Sequence, residues 1–210
     1  SVLLGTGAGT FSLRTDYSTG PAGSKPVAVA TGDFNGDGNT DLAVLNSGDM
    51  GSGVVGNVAV MLGVGDGSFN SVNPIDVGDL GDGLSAIAVG DMDGDTDLDI
   101  VVANPTKMVI TVLLNNGLGS FPVPADFDTT HAPVGLVLGF VDGDANLDVI
   151  TVSAAGDRIS LLLGTGVLPG LLPVEPDLVL SVGGTAPASV VLSDLNGDAL
   201  GVNPDTIFVP

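Results

Sequence analysis

The chain has 210 residues, is 44% hydrophobic and has a mean hydropathy of +0.51, so it can bury the core of one large domain or two small ones. Four Lys and Arg against 25 Asp and Glu give a net charge of −21, which excludes nucleic acid and anionic membranes as partners because both bind basic patches. The chain has no cysteine, which excludes disulfides, zinc–thiolate sites and thiol nucleophiles.

The composition is typical of short strands joined by tight turns. Gly (33) and Pro (13) are abundant, and no window shows a long apolar period of 3.6 residues. No apolar run reaches the length of a transmembrane helix. We therefore expect an all-β fold without membrane insertion.

The segment from residue 27 to about residue 77 is predicted to form four strands. Strand one is expected at 27–32, and an Asp-rich loop follows it. Strand two is expected at 41–46, strand three at 58–62 and strand four from Phe69 to about Val77. Short strands connected in this way predict an antiparallel sheet.

The Asp-rich loop recurs along the chain. Residues 32–44 (GDFNGDGNTDLAV) recur as 90–102 (GDMDGDTDLDIVV), as 139–151 (GFVDGDANLDVIT) and, less closely, as 193–209 (SDLNGDALGVNPDTIFV). A second motif recurs in step with it: LLGTGAGTF (3–11), MLGVGDGSF (61–69), LLNNGLGSF (113–121) and LLGTGVLPG (162–170). No P-loop lysine or helix follows this Gly-rich motif, so it indicates a hairpin turn and not a phosphate-binding loop.

Repeats of about fifty residues with four antiparallel strands each are typical of propeller blades. We predict a single β-propeller domain over residues 1–210, with about four four-stranded blades. The repeats are placed at approximately 26–80, 84–130, 132–182 and 186–210, the last completed by residues 1–20.

One blade is therefore predicted to be split between the N- and C-termini. Residues 2–4 resemble a third strand, and residues 206–209 resemble a second strand. Intramolecular ring closure is the interpretation we favour. The N-terminal strands of one chain completing the C-terminal blade of the next would instead give a filament. A third alternative is that the chain is a piece of a larger propeller.

The Asp loops place oxygen ligands on alternate residues, and in an extended segment such residues share one face. Their mutual repulsion is relieved if the loop curls around Ca²⁺, which prefers six to eight oxygen ligands. The loops are not EF-hands, because position 12 is Val44 or Val102 where an EF-hand has Glu. Mg²⁺ is reluctant to lose its waters, and Zn²⁺ prefers His or Cys.

Calcium is therefore the expected cofactor, with two sites expected in the first two loops and up to four in the chain. The candidate ligands are Asp33, Asn35, Asp37, Asn39 and Asp41 in the first loop; Asp91, Asp93, Asp95, Asp97 and Asp99 in the second; Asp142, Asp144, Asn146 and Asp148 in the third; and Asp194, Asn196, Asp198 and Asp205 in the fourth.

These loops resemble the FG-GAP/VCBS repeat, the calcium-loop blade of the integrin α-subunit propeller. The pattern is Asp-x-Asp/Asn-x-Asp-Gly-x-x-Asp before an apolar strand, and residues 33–42 match it throughout. The second loop departs at Thr96, the third at Phe140, and the fourth is lengthened before Asp205. The resemblance implies a β-propeller, Ca²⁺ bound between the first two strands of a blade, and an extracellular or cell-surface location.

The sequence bears on three classes of function. Catalysis is not expected, because His131 is the single histidine and the loop carboxylates are assigned to metal. A lectin-like or protein-binding propeller, or an accessory domain of a larger surface protein, is the alternative, but the chain has no Trp and 4% aromatic residues. We favour a secreted, calcium-stabilised structural or adhesion module. Its expected partners are further copies of itself, other surface proteins or glycans.

Overall fold

The computed structural model describes residues 1–71, 74–142, 144–155, 158–165, 178–181, 188–193 and 206–208. The regular structure of these residues is β-strand, and none of them lies in an α-helix. The prediction of an all-β fold is confirmed.

The strands are short and follow one another closely along the chain. They are β1 (Pro26–Gly32), β2 (Asp41–Asn46), β3 (Asn57–Gly63), β4 (Phe69–Ser71), β5 (Ile75–Asp76), β6 (Ala86–Gly90), β7 (Asp99–Asn104), β8 (Val109–Leu113), β9 (Pro124–Asp128), β10 (Gly135–Gly139), β11 (Asp148–Ser153), β12 (Arg158–Leu162), β13 (Leu178–Ser181), β14 (Val191–Ser193) and β15 (Thr206–Phe208).

The strands pair as antiparallel meanders. β1 to β4 form the first sheet in chain order, and β5 also pairs with β3. β6 to β9 form the second sheet, β10 to β13 the third, and β14 and β15 a two-stranded sheet. A series of four-stranded meanders is the architecture of propeller blades. We call β1–β5 blade 1, β6–β9 blade 2, β10–β13 blade 3 and β14–β15 the half-blade.

The core lies in seams between consecutive blades. Ala43 and Leu45 of blade 1 pack in one apolar cluster with Ile100 and Val102 of blade 2. A second cluster joins blade 2 to blade 3, and a third contains Val190, just before the half-blade, together with residues of blade 3. β7 and β11 are buried along their whole length because they have a blade on each face. This is why the sequence of each second strand is a nearly continuous apolar run.

The Asp loops and the Gly-rich turns lie at the same edge of each sheet. In an antiparallel meander, strands one and three run in the same direction, so the connections that follow them meet at one end. In blade 1 the Asp loop ends at Asp41, the first residue of β2, and the Gly-rich turn begins at Gly63, the last residue of β3. The two recurring motifs of the sequence are therefore neighbours in every blade.

The four strands predicted in the first repeat are confirmed, and the fourth is divided into β4 and β5. Near the N-terminus, the chain forms a hairpin with bridges from Val2 to Thr15 and from Gly5 to Phe11. Within the described residues, no bridge joins this hairpin to β14 or β15. The completion of the last blade by residues 1–20 stays a prediction, as do the repeat boundaries and the number of blades.

Candidate metal centre

The second Asp loop is wound around the carboxylate of Asp91. The backbone N–H groups of Gly94 and Asp95 donate to Asp91 Oδ1 at 2.7 and 3.1 Å, and that of Thr96 donates to Oδ2 at 2.9 Å. Asp95 Oδ1 in turn accepts from the N–H of Asp97 at 2.9 Å. Asp side chains favour such local bonds to backbone N–H groups, which turn the chain back on itself.

This winding brings three carboxylates together. The three residues are Asp91, Asp93 and Asp99, and one carboxylate oxygen of each lies within 4.8 Å of the other two. Among the described residues, this is the acidic group whose oxygens are close enough to bind one metal ion together. Asp95 and Asp97, which were also predicted as ligands, are not in this group.

The electrostatics of the group are unfavourable without a cation. Burial raises the pKa of Asp99 to about 7, and the charges of Asp93 and Asp95 contribute to the rise. The pKa of Asp93 is also raised, first by burial and then by the charge of Asp95. A dication bound among these oxygens would reverse both effects. The residues therefore fit Ca²⁺, because they are hard oxygen donors on a loop that already curls.

The first loop is wound in the same way. The N–H groups of Asp37 and Gly38 donate to the two oxygens of Asp33 at 3.2 and 2.8 Å, and the N–H of Asn39 donates to Asp37 Oδ1 at 2.8 Å. The pKa of Asp37 is lowered, first by the N–H of Asn39 and then by the Asn35 side-chain amide. Within the described residues, the carboxylates of this loop do not form a three-membered group like that of the second loop.

The third loop keeps only part of this geometry. Asp142 Oδ1 accepts from the N–H of Asp144 at 3.0 Å, and Asp144 Oδ1 accepts from that of Asn146 at 2.7 Å. Phe140 stands where the other loops have Asp33 and Asp91, so the central acceptor is missing. Ala145 does not adopt the positive φ of its equivalents Gly38 (82°) and Thr96 (78°). The ligands predicted in the fourth loop, Asp194, Asn196, Asp198 and Asp205, lie outside the described residues.

The last aspartate of each of the first three loops has a structural role that the sequence did not indicate. Asp41 Oδ2 accepts from the N–H of Phe34 at 2.8 Å, and Oδ1 accepts from the N–H of Gly63 at 2.7 Å. Asp41, Asp99 and Asp148 are all fully buried. We call these three residues the latch aspartates, because each ties the start of its Asp loop to the Gly-rich turn of the same blade.

The latch is the same in blades 2 and 3. Asp99 accepts from the N–H groups of Met92 and Asn115 at 2.7 and 2.8 Å. Asp148 accepts from those of Val141 and Gly164, also at 2.7 and 2.8 Å. Burial raises the pKa of Asp148, while the two backbone bonds act to lower it. Each latch oxygen has one lone pair left, so a latch bond and a metal bond are compatible.

The Gly-rich turn also packs directly on the Asp loop. A Cβ placed on Gly65 would lie 2.5 Å from Asn39 Oδ1, and one placed on Gly117 would lie 2.5 Å from Asp97 Oδ2. Both glycines have positive φ, at 89° and 75°. The glycines recur because the turn must adopt this conformation and must also leave room for the loop residue.

The arrangement of meanders and Asp loops defines a β-propeller repeat protein. The model of the FG-GAP-like repeat matches residues 1–44, 46–102 and 91–151. These matches cover most of the chain, which belongs to the FG-GAP-like repeat family. The resemblance seen in the sequence is confirmed.

Among solved structures, the chain is similar to BBS1N in the crystal structure of BBS1N in complex with ARL6DN, soaked with lead. The two share 14% identity with a TM-score of 0.47, over 80% of this chain and 47% of that chain. This chain therefore spans about half the length of that one. A comparison with curated proteins gives no match. Along the described residues, no helix is long and apolar enough to cross a membrane.

Proposed function

We propose that the protein is a calcium-stabilised β-propeller module with a structural or adhesive role outside the cell or at its surface. The observation that carries the proposal is the group formed by Asp91, Asp93 and Asp99, with oxygens within 4.8 Å of one another on a loop held by its own backbone bonds. Such a group is costly when empty and favourable when it binds a divalent cation.

Calcium in this proposal acts on stability and not on chemistry. The Asp loops lie at the seams, since Phe34 and Met92, the second residues of loops one and two, are buried in the clusters between blades. An ion that binds the wound loop and not the unfolded chain adds its binding free energy to that of folding. Calcium would therefore fix the loops and, through them, the contacts between blades.

A structural role is favoured over glycan binding by the position of the aromatic residues. Phe34 and Phe121 are buried against each other with ring centroids 5.9 Å apart, and Phe69 packs on Tyr17. Phe34 and Phe121 are used in a seam and offer no stacking face for a sugar, whereas Phe11 is 67% exposed. His131 Nδ1 lies 2.8 Å from Thr130 Oγ in an exposed loop, and we do not expect catalysis from it. The partners proposed are further copies of the chain, in a filament, or other surface proteins.

The test is thermal unfolding in millimolar calcium and in excess chelator, with magnesium as a second cation. We expect calcium to raise the Tm and magnesium to raise it less, because Mg²⁺ loses its waters reluctantly. The variant Asp91→Ala should lose most of the calcium effect. Its matched control is Asp66→Ala, which removes an exposed aspartate that hydrogen-bonds Ser68 outside the Asp loops.

Calorimetric titration of both variants with calcium would complete the test. Asp66→Ala should keep the affinity of the unmodified chain, and Asp91→Ala should lose at least one site. A Tm that does not change between calcium and chelator would overturn the proposal.

A further inference from the structure

The first Asp loop contains an Asn-Gly pair at the position where the second loop has Asp-Gly. Residues 33–41 read DFNGDGNTD and residues 91–99 read DMDGDTDLD, so Asn35 is equivalent to Asp93. Asp93 is one of the three carboxylates that the second loop brings together. At the other two equivalent positions the first loop has aspartate, so the amide of Asn35 stands where a third carboxylate would complete the same set.

The side-chain amide of Asn35 has hydrogen bonds that favour attack on its carbon. Asn35 Oδ1 accepts from the N–H of Asp37 at 3.1 Å, and Asn35 Nδ2 donates to Asp37 Oδ2 at 3.1 Å. A donor on the amide oxygen stabilises the negative charge that develops there when a nucleophile adds to the carbon. A carboxylate beside the amide nitrogen stabilises positive charge on that nitrogen as it leaves.

The nucleophile is the backbone nitrogen of Gly36. Within the described residues, its N–H donates to no acceptor, whereas the N–H of the equivalent Gly94 donates to Asp91 Oδ1 at 2.7 Å. Gly36 is exposed, and apart from its chain neighbours no atom lies within 4 Å of a Cβ placed on it. Neither a hydrogen bond nor a neighbouring side chain therefore holds this nitrogen away from the amide carbon of Asn35.

We propose that Asn35 is a site of spontaneous deamidation, in which water converts the asparagine into aspartate and the first loop gains its third carboxylate. The Gly36 nitrogen forms a bond to Asn35 Cγ, the bond from Cγ to Nδ2 breaks, and Nδ2 leaves as ammonia together with the proton of the Gly36 N–H. Water then opens the succinimide ring. Cleavage between the Gly36 nitrogen and Cγ gives aspartate, and cleavage between the same nitrogen and the main-chain carbonyl carbon gives isoaspartate.

The two products have opposite effects on the loop. Aspartate keeps the main chain, so the bonds that Asp33 accepts from Asp37 and Gly38 are preserved, and it adds one charged oxygen ligand. The affinity of such loops for Ca²⁺ depends on the number of charged ligands. Isoaspartate adds a carbon to the main chain inside the segment that Asp33 winds, and so disrupts the loop. Only the change in affinity rests on the proposed function, because the reaction itself needs no metal.

The chain contains the same dipeptide in a different setting. Asn116 and Gly117 lie in the Gly-rich turn of blade 2, where Asn116 is exposed. A Cβ placed on Gly117 would lie 2.5 Å from Asp97 Oδ2, so this glycine is packed against the second Asp loop. Closing the ring requires the glycine to move, and the packing restricts that movement. We therefore expect Asn35 to react faster than Asn116 in the folded chain.

Peptide mapping by mass spectrometry tests the reaction. The intact chain is incubated at mildly alkaline pH in chelator, and we expect the mass change of deamidation to accumulate at least several-fold faster at Asn35 than at Asn116. In urea the two rates should be similar, because the dipeptide is the same. Asn35→Gln should abolish the change at this position and leave Asn116 unaffected, since glutamine would have to close a larger ring. An Asn35 that stays unmodified in the folded chain, or reacts no faster than Asn116, would overturn the proposal.

Calorimetric titration with calcium tests the gain of a ligand. Asp91→Ala is used as the background, because it disrupts the carboxylate group of the second loop. In that background Asn35→Asp should bind calcium roughly tenfold more tightly. Asn70→Asp is the matched control, because it adds the same charge at an exposed position of β4 outside the Asp loops.

The two readouts separate the failure of this inference from that of the proposed function. A gain at position 35 no larger than that of Asn70→Asp would show that the new carboxylate is not a ligand, and would overturn the proposal. If neither the unmodified chain nor any variant binds calcium, the proposed function and the gain in affinity both fail. The mass spectra decide independently whether Asn35 reacts.

Discussion

The side-chain amide of Asn115 donates to the carbonyl oxygen of Phe34, 81 residues earlier, at 2.8 Å. Asn115 belongs to the Gly-rich turn of blade 2, and Phe34 is the second residue of the Asp loop of blade 1. The same amide donates to the carbonyl of Leu98 at 3.1 Å, and Asn115 Oδ1 accepts from the N–H of Gly119 at 3.2 Å. One buried side chain therefore joins the Asp loops of two blades.

We predict that Asn115→Ala destabilises the protein by about 2–3 kcal/mol, because it leaves buried carbonyl groups without donors. Asn116→Ala is the control: Asn116 is exposed and bonds only within its own turn, to Leu118 and Ser120. Its expected cost is below about 1 kcal/mol. Denaturant unfolding of both variants measures the difference, and equal costs would mean that the bond between blades is unimportant.

The latch aspartates should matter with and without calcium. Asp148→Ala removes the acceptor of two buried backbone N–H groups, and we expect a loss of about 2–4 kcal/mol in chelator as well as in calcium. Asp93→Ala, in contrast, removes one of the three gathered carboxylates and should lower the Tm mainly in calcium. A melt of each variant in both conditions separates the two roles. If Asp148→Ala were harmless in chelator, the latch would have no structural role.

The loops should also differ from one another. In calcium, Asp95→Ala is expected to cost more stability than Asp142→Ala, because Asp95 belongs to the loop that gathers three carboxylates and Asp142 to the loop in which Phe140 replaces the first aspartate. Both aspartates are exposed, so the loss of packing is small and similar in the two variants. The measurement is the shift of Tm relative to the unmodified chain in the same buffer. Equal shifts would contradict this ranking of the loops.

Thr96→Gly should stabilise the protein. Thr96 has φ of 78°, a left-handed conformation that is unfavourable for a β-branched residue, at the position where the first loop has Gly38. We expect a net gain of about 0.5–1 kcal/mol, which is the strain removed less the greater entropy of glycine in the unfolded chain. Thr40→Gly is the control, because Thr40 lies two residues later in its loop and has no positive φ, so glycine should destabilise there. Denaturant unfolding gives both values.

The stability of the metal-free protein should fall as the pH rises from 4 to 7.5. The folded pKa of Asp99 is raised from its ordinary 3.8 to about 7, so its carboxyl favours folding fully below pH 3.8 and loses that contribution as the pH rises through 7. Calcium should show the opposite trend, because its ligands must be deprotonated, and its effect on Tm should grow toward pH 7.5.

Asp99→Asn is the variant that isolates this effect. It removes the titrating group, so we expect a flatter dependence of Tm on pH in chelator, even though the amide weakens the latch. The remaining slope would come from Asp93 and Asp148, whose pKa values are also raised, and from the acidic surface, whose net charge of −21 increases repulsion in the same direction. An unchanged slope would show that Asp99 does not carry the pH dependence.

The sequence alone determined the blade and its loop. Strand positions, the fifty-residue repeat and the alternating aspartates are local patterns, and local periodicity is sufficient to predict them. The resemblance of residues 33–42 to the FG-GAP repeat could be read in the same way. The spacing also indicated that Gly-rich turns accompany Asp loops, although it did not indicate that the two are in contact.

Only the tertiary structure decided which residues act between the repeats. Asp41 and Asp33 look alike as candidate ligands in the sequence, but Asp41 is buried and latched to Gly63, whereas Asp33 organises its own loop. Asn115 and Phe34 meet because two blades pack face to face. These features depend on packing between segments distant in the chain, and no pattern within one repeat encodes them.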